Sequence, residues 1–177
     1  MYYEKVNTDL RLKLYTVLIL ENHPDFAKGT PFRQALIKSP GRFNIEFLVE
    51  EMFELNCDGQ YKFNDGIHED FTDESEAKTG TLHANGQTSV AEITNVRSAN
   101  GVLKHGAIRC VMLNPRLKKL HFLFIPQASL KMIMANRKKT KSAMLRYNKK
   151  KEQFTTLEKY GIIELDSFKE LAMEANR

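Results

Sequence analysis

Two apolar runs, Ala107 to Leu113 and Leu120 to Ile125, stand on either side of Asn114-Pro115-Arg116-Leu117-Lys118-Lys119. Short runs rich in Val, Ile, Leu and Phe and bounded by turn residues read as strands, so this segment is expected to be a hairpin. Pro126 ends the second strand, because proline cannot donate to a ladder. A hairpin this apolar must be covered. The chain is therefore expected to build a sheet with a real core, and 177 residues suffice for one domain of that kind.

The flanks say what covers it. Val6 to Leu20 places Leu10, Leu14, Val17 and Leu18 at helical spacing, with Asn7 or Thr8 as cap, and Thr30-Pro31 opens a second helix that runs to Lys38. Asn44 to Asn56 reads as an amphipathic helix. Glu46, Glu50 and Glu54 form its wet stripe, while Phe47, Leu48, Met52 and Leu55 face inward with Glu51 among them. From Tyr61-Lys62-Phe63 onward the chain reads as a β meander, with strands at Glu76 to Leu82 and Val90 to Val96 and turns at Asn85-Gly86 and Asn100-Gly101. Gln127 to Asn136 is a short helix, Ser142 to Tyr147 a further strand, and Asp166 to Asn176 a closing helix capped by Asp166 or Ser167. The expected class is α+β, with N-terminal helices, a central, mostly antiparallel or mixed sheet of four to five strands, and C-terminal helices. Within the single domain, 1–57 is the helical part, 58–126 the sheet, and 127–177 a basic segment with the closing helix.

The net charge of +5 conceals an asymmetry. Residues 1–81 carry nine Lys and Arg against fifteen Asp and Glu, whereas residues 82–151 carry fifteen against the single acid Glu92. Such an excess is the electrostatic footprint of a polyanion binder. Arg137, Lys138, Lys139 and Lys141, and then Lys149, Lys150 and Lys151, are the candidate phosphate contacts. A basic surface with no partner is the plainer alternative. No apolar run approaches a membrane span, and the start lacks the plan of a secretion signal, so a cytoplasmic protein is expected. Cys57 and Cys110 are too few for a disulfide framework and read as buried thiols.

Chemistry concentrates between Asp65 and Leu82, where Asp65, Glu69, Asp70, Asp73, Glu74 and Glu76 crowd ahead of Lys78. In a strand, Glu76 and Lys78 point one way and Ala77 the other. A carboxylate beside an ammonium, with another acid upstream, can serve a divalent cation and a phosphodiester. The cluster also has a plainer reading as a solvated turn.

Acid, short gap, Glu-x-Lys resembles the active-site signature of the PD-(D/E)XK nuclease superfamily, to which many restriction endonucleases belong. The residues that carry the likeness are His68-Glu69-Asp70-Phe71 followed by Glu76-Ala77-Lys78-Thr79. No proline precedes Asp70, and the gap to Glu76 is about a residue short. The resemblance implies a restriction-endonuclease-like core and a Mg²⁺- or Mn²⁺-dependent endonuclease acting on double-stranded DNA. Asp70, Glu76 and the Ala77 carbonyl would hold the metal, and Lys78 would orient or deprotonate the attacking water. Glu51 would be an outer acid on the preceding helix, and Asp65 and Asp73 are reserve acids. Symmetric cleavage would suit a homodimer. The alternatives are a non-catalytic nucleic-acid-binding accessory protein of a phage or mobile element, and an inhibitor whose acidic half mimics DNA. His105 and His121 stand alone in sequence, and no Gly-x-Ser-x-Gly or phosphate-binding Gly loop is present.

Overall fold

The computed structural model describes residues 2–22, 42–56, 70–85, 88–98, 100–137, 140–155 and 157–174. In chain order, helices α1 (Tyr2–Glu21) and α2 (Arg42–Asn56) come first. Strands β1 (Ser75–Thr81), β2 (His83–Asn85), β3 (Thr88–Ile93), β4 (Ala107–Asn114) and β5 (Lys119–Pro126) follow. Helix α3 (Gln127–Met134), strands β6 (Ala143–Asn148) and β7 (Gln153–Phe154), helix α4 (Leu157–Tyr160), strand β8 (Ile163–Leu165) and helix α5 (Phe168–Met173) complete it.

The expected hairpin is β4 and β5, paired antiparallel from Ala107↔Pro126 to Asn114↔Lys119. Every residue of β4 is buried, so the strand is covered on both faces. Alternation divides its side chains between two cores. Ala107, Val111 and Leu113 pack with Tyr15 and Ile19 of α1, with Leu48, Met52 and Phe53 of α2, and with Phe168 and Leu171 of α5. Ile108, Cys110 and Met112 face Ala91 and Ile93 of β3, Leu145 and Tyr147 of β6, and Leu130 and Met134 of α3. Burying each large apolar side chain contributes about 1.5–3 kcal/mol, which is why the doubly covered hairpin anchors the rest.

The sheet is thus not one but two. One has the order β1-β4-β5-β8 and the other β2-β3-β6-β7. The meander expectation fails at β3, which leaves to pair with β2 and β6. After it the chain returns beside β1, and β1 and β4 run parallel from Ser75↔Ala107 to Thr81↔Leu113. The basic segment after residue 126 is equally part of the sheets, through β6, β7 and β8. On α2 the inward stripe is Ile45, Leu48, Val49, Met52 and Phe53, and Leu55 is 48% exposed rather than inward. Phe53 sets that phase, stacking edge-on against Phe71 and Phe168. Ser167 is the cap of α5, accepting from the Glu170 amide. The expected helix at Thr30 to Lys38 and strand at Tyr61 to Phe63 lie outside the described residues, as does Cys57. Among the described residues no helix is long and apolar enough to cross a membrane.

One polar group is built into the helix-side core. Arg109 of β4 is fully buried. Its Nη2 donates to Asp73 Oδ2 at 2.7 Å and its Nε to Ser75 Oγ at 2.9 Å. Its remaining donors reach the carbonyls of Leu171 and Glu174, at the end of α5. The guanidinium lies over the rings of Phe71 and Phe124, 4.7 and 4.9 Å from their centroids. Burial alone would raise the Asp73 carboxyl, but the Ser75 hydrogen bonds and the Arg109 charge outweigh it and hold the group below its ordinary 3.8.

Replacing Arg109 by Met is expected to cost about 3 kcal/mol or more in urea denaturation at neutral pH, since it removes the guanidinium from Asp73 Oδ2 and from two carbonyls. Because the Asp73 value is depressed in the folded state, its contribution is present above 3.8 and is lost as pH falls through the lower folded value. The gap between wild type and Arg109→Met should therefore narrow in acid. A gap that is constant from neutral pH to about pH 3 would remove Asp73 from this account.

Candidate active site at the start of β1

The turn that Arg109 clamps leads straight into β1. Phe71 N–H donates to Ser75 O, Glu74 N–H to Phe71 O, and Gly106 N–H to Glu74 O. Glu74 takes a positive φ of 65° to make the turn. Asp70, buried at 5% exposure, then comes back along the free edge of β1, where its Oδ2 accepts from Ala77 N–H at 2.8 Å. Among the described residues no strand pairs with β1 on this side, and the edge amide is satisfied by a carboxylate instead.

Ala77 lies between Glu76 and Lys78. Those two project from the face of β1 whose partners on β4 are Ile108 and Cys110. Lys78 Nζ stands 3.2 Å from Glu76 Oε1, with side chains 20% and 17% exposed. A pair this far from bulk water interacts more strongly than a surface pair. His105, 7% exposed, adds a third polar group, its Nδ1 lying 4.0 Å from Glu76 Oε2. Its Nε2 is 3.3 Å from Asn95 O, and its own carbonyl accepts from Gln127. His105 was invisible in sequence as a site residue. It reaches Glu76 only because β4 pairs with β1 in parallel register, and no local signal announces that pairing.

The other candidate acids divide. Asp73 is engaged by Arg109 and Ser75, which makes it a structural carboxylate of the turn. Asp65 lies outside the described residues. Glu51 is half-buried, with Oε2 shielded from solvent, and Glu50 is half-buried on the other flank of the α2 stripe. The core packed against Ala77 includes α2, so this helix sits on the face of β1 opposite Glu76 and Lys78. Asp70, Glu76 and Lys78 are thus gathered around one peptide, and Glu51 belongs to the far side of the strand. The oxygen donors of Asp70, Glu76 and the Ala77 carbonyl are hard ligands of the kind Mg²⁺ or Mn²⁺ prefers. Among the described residues, no three His, Cys, Asp or Glu side chains form a ready metal-holding group.

The basic residues divide too. Arg137 and Lys141 lie at the Glu76 end, where Val96 N–H donates to Lys141 O and Arg97 donates to the Arg137 and Met134 carbonyls. Lys149, Lys150 and Lys151 form the turn after β6, tied by Arg116 to the β4–β5 turn at the opposite end. The eight residues of β4 separate the two groups by about 26 Å at roughly 3.3 Å per residue. Lys138 and Lys139 lie outside the described residues. His121 has partners as well. It sits buried between Tyr147 and Phe154, 2.6 Å from Glu164 and 3.1 Å from Asn114. Burial pushes the Cys110 thiol up to about 12, so it is an inert apolar filler.

The bond from Ala77 to Asp70 has a testable cost. Asp70→Ala should destabilise the protein by about 1–3 kcal/mol and speed hydrogen exchange at the Ala77 amide, because a shielded donor loses its acceptor. Asp70→Asn keeps an acceptor oxygen and should lose less than half as much. Equal losses for the two variants would mean that the contact adds nothing to the edge.

No protein-family model matches this chain, and no curated protein matches it either.

Proposed function

We propose that this chain is a metal-dependent endonuclease of restriction type, hydrolysing phosphodiester bonds of double-stranded DNA at the start of β1, within a restriction-endonuclease-like core. The observation that carries the reading is the place of Asp70. Its carboxylate comes to rest on the amide of Ala77, between Glu76 and Lys78, although five residues separate it from Glu76 along the chain. A solvated acidic loop would have no reason to bury that carboxylate at the one peptide flanked by a glutamate and a lysine.

In this reading Asp70, Glu76 and the Ala77 carbonyl would hold Mg²⁺ or Mn²⁺. When bound, such an ion supplies Lewis-acid charge stabilisation and acidifies a coordinated water. Lys78, held against Glu76, would place its ammonium at the attacking water or at a phosphate oxygen, where it favours developing negative charge. Arg137 and Lys141 stand at the same end of the molecule, suited to the backbone near the cut. The turn at Lys149, Lys150 and Lys151 would meet phosphates further along the duplex.

One observation favours a second reading, a non-catalytic nucleic-acid-binding module. Glu76 already has Lys78 as counter-charge, and Asp70 already has an amide to accept from. Plasmid cleavage with and without Mg²⁺ separates the two. Lys78→Ala should abolish metal-dependent cleavage while leaving folding and duplex affinity near wild type, and Glu76→Ala should also lower Mg²⁺ affinity. Wild-type cleavage by Lys78→Ala would end the catalytic proposal.

Glu51 and Glu50 provide an internal control. If Glu51 serves the metal around the edge of β1, Glu51→Gln should cut the rate by orders of magnitude with stability unchanged or raised, because a shielded charge near other acids is relieved. Glu50→Gln should keep wild-type rates. The reverse pattern would reassign the outer acid.

Replacing Lys149, Lys150 and Lys151 together by Ala should flatten the log–log salt dependence of DNA binding by roughly two to three units for three lost phosphate contacts. An unchanged slope would leave that end of the molecule out of the interface.

A further inference from the structure

On the other face of β1 from Lys78 lies a cleft of about 340 Å³ between α1, α2, β1–β2 and the end of β3. Alternation puts Thr79 and Thr81 on that face, along with Ala77. The inner wall is apolar, made by Leu12, Tyr15 and Ile45. The rim is polar and carries opposite charges, Arg11 on one side and Glu92 on another.

Arg11 Nη1 lies 3.1 Å from His83 Nδ1. A guanidinium only donates, so Nδ1 must accept and the imidazole proton sits on Nε2. Burial and then the Arg11 charge both lower the His83 value, which keeps the ring neutral in this tautomer. The rim therefore offers donors from Arg11 and His83, an acceptor in Glu92, and hydroxyls that can do either.

We infer that this cleft binds a nucleobase that carries an exocyclic amino group. Three features select that chemistry. The volume is near the lower end for small-molecule sites, with room for one nucleoside. The apolar inner wall suits one face of a flat ring, and a mixed rim suits an edge that both donates and accepts. A carboxylate accepts from a base amino group while an arginine donates to ring nitrogens or carbonyls, the pairing by which side chains read base edges. A bare phosphate is disfavoured, because Glu92 would repel it. The site stands apart from Glu76 and Lys78, across the strand, and does not depend on the nuclease reading.

The base can arrive in a free nucleotide or in an unpaired strand, and the test distinguishes these sources. Saturation-transfer NMR on the whole chain, without divalent metal, would compare AMP, CMP, GMP and UMP with ribose 5-phosphate and with short single-stranded DNA. Saturation should concentrate on the base protons of AMP, CMP and GMP, with UMP weaker and ribose 5-phosphate silent. Glu92→Gln should weaken the amino bases about tenfold. Thr94→Trp, at an exposed position on the rim, should fill the cleft and abolish binding, with unchanged thermal melting certifying the fold of both variants. Oligonucleotides that displace AMP assign the site to a strand, and oligonucleotides that fail to do so assign it to free nucleotides. Ribose 5-phosphate binding as well as AMP would overturn the proposal, as would nucleotide binding indifferent to both substitutions, or no nucleotide binding by folded wild type. None of these readouts involves cleavage, so failure of the endonuclease reading would be seen separately.

Discussion

The guanidinium of Arg109 is the interaction on which the rest of the structure turns. An unpaired charge at such depth would cost several kcal/mol, so the fold must supply acceptors from every side. It does so with Asp73 and Ser75 from the turn before β1, with the Leu171 and Glu174 carbonyls of the C-terminal helix, and with two aromatic faces. Elements far apart in sequence are thereby bound to one side chain. The turn that results leaves Asp70 at the edge of β1 and starts that strand in parallel register with β4.

That register has consequences for charge. Glu76 and Lys78 face the inter-sheet side, near His105, where water is scarce and their mutual attraction is less screened. The helix-facing side of the same strand carries Ala77, Thr79 and Thr81 and opens into the cleft beside α1. One edge strand thus presents two separate polar environments, divided by nothing more than the alternation of side chains. The basic residues are split by the same geometry, since β6 begins at the Glu76 end and finishes at the far end, beside the turn held by Arg116.

His105 and His121 illustrate how isolation in sequence misleads. Each is without histidine or cysteine company along the chain, yet each is buried against a glutamate, at 4.0 Å for Glu76 and 2.6 Å for Glu164. In both cases the partner comes from a strand more than twenty-five residues away, as their positions in the chain require. His105 borders the candidate active centre, while His121 belongs to an aromatic cluster at the opposite end with Tyr147 and Phe154.

By itself, the sequence determined what short-range patterning can determine. The doubly apolar hairpin of β4 and β5, the amphipathic character of α2, strand β6, a cap at Asp166 or Ser167 and the placing of Glu76 with Lys78 on one face all follow from periodicity and turn chemistry. Only the tertiary structure decided which strands pair across long separations. It split the sheet in two, brought β1 beside β4, turned Leu55 outward in favour of Phe53, and enlisted the chain after residue 126 in both sheets. It also took Asp73 out of the acidic cluster and gave it to Arg109. The reason is physical. A buried arginine and a parallel strand pair are satisfied by partners dozens of residues away, and no local pattern records which partners those will be.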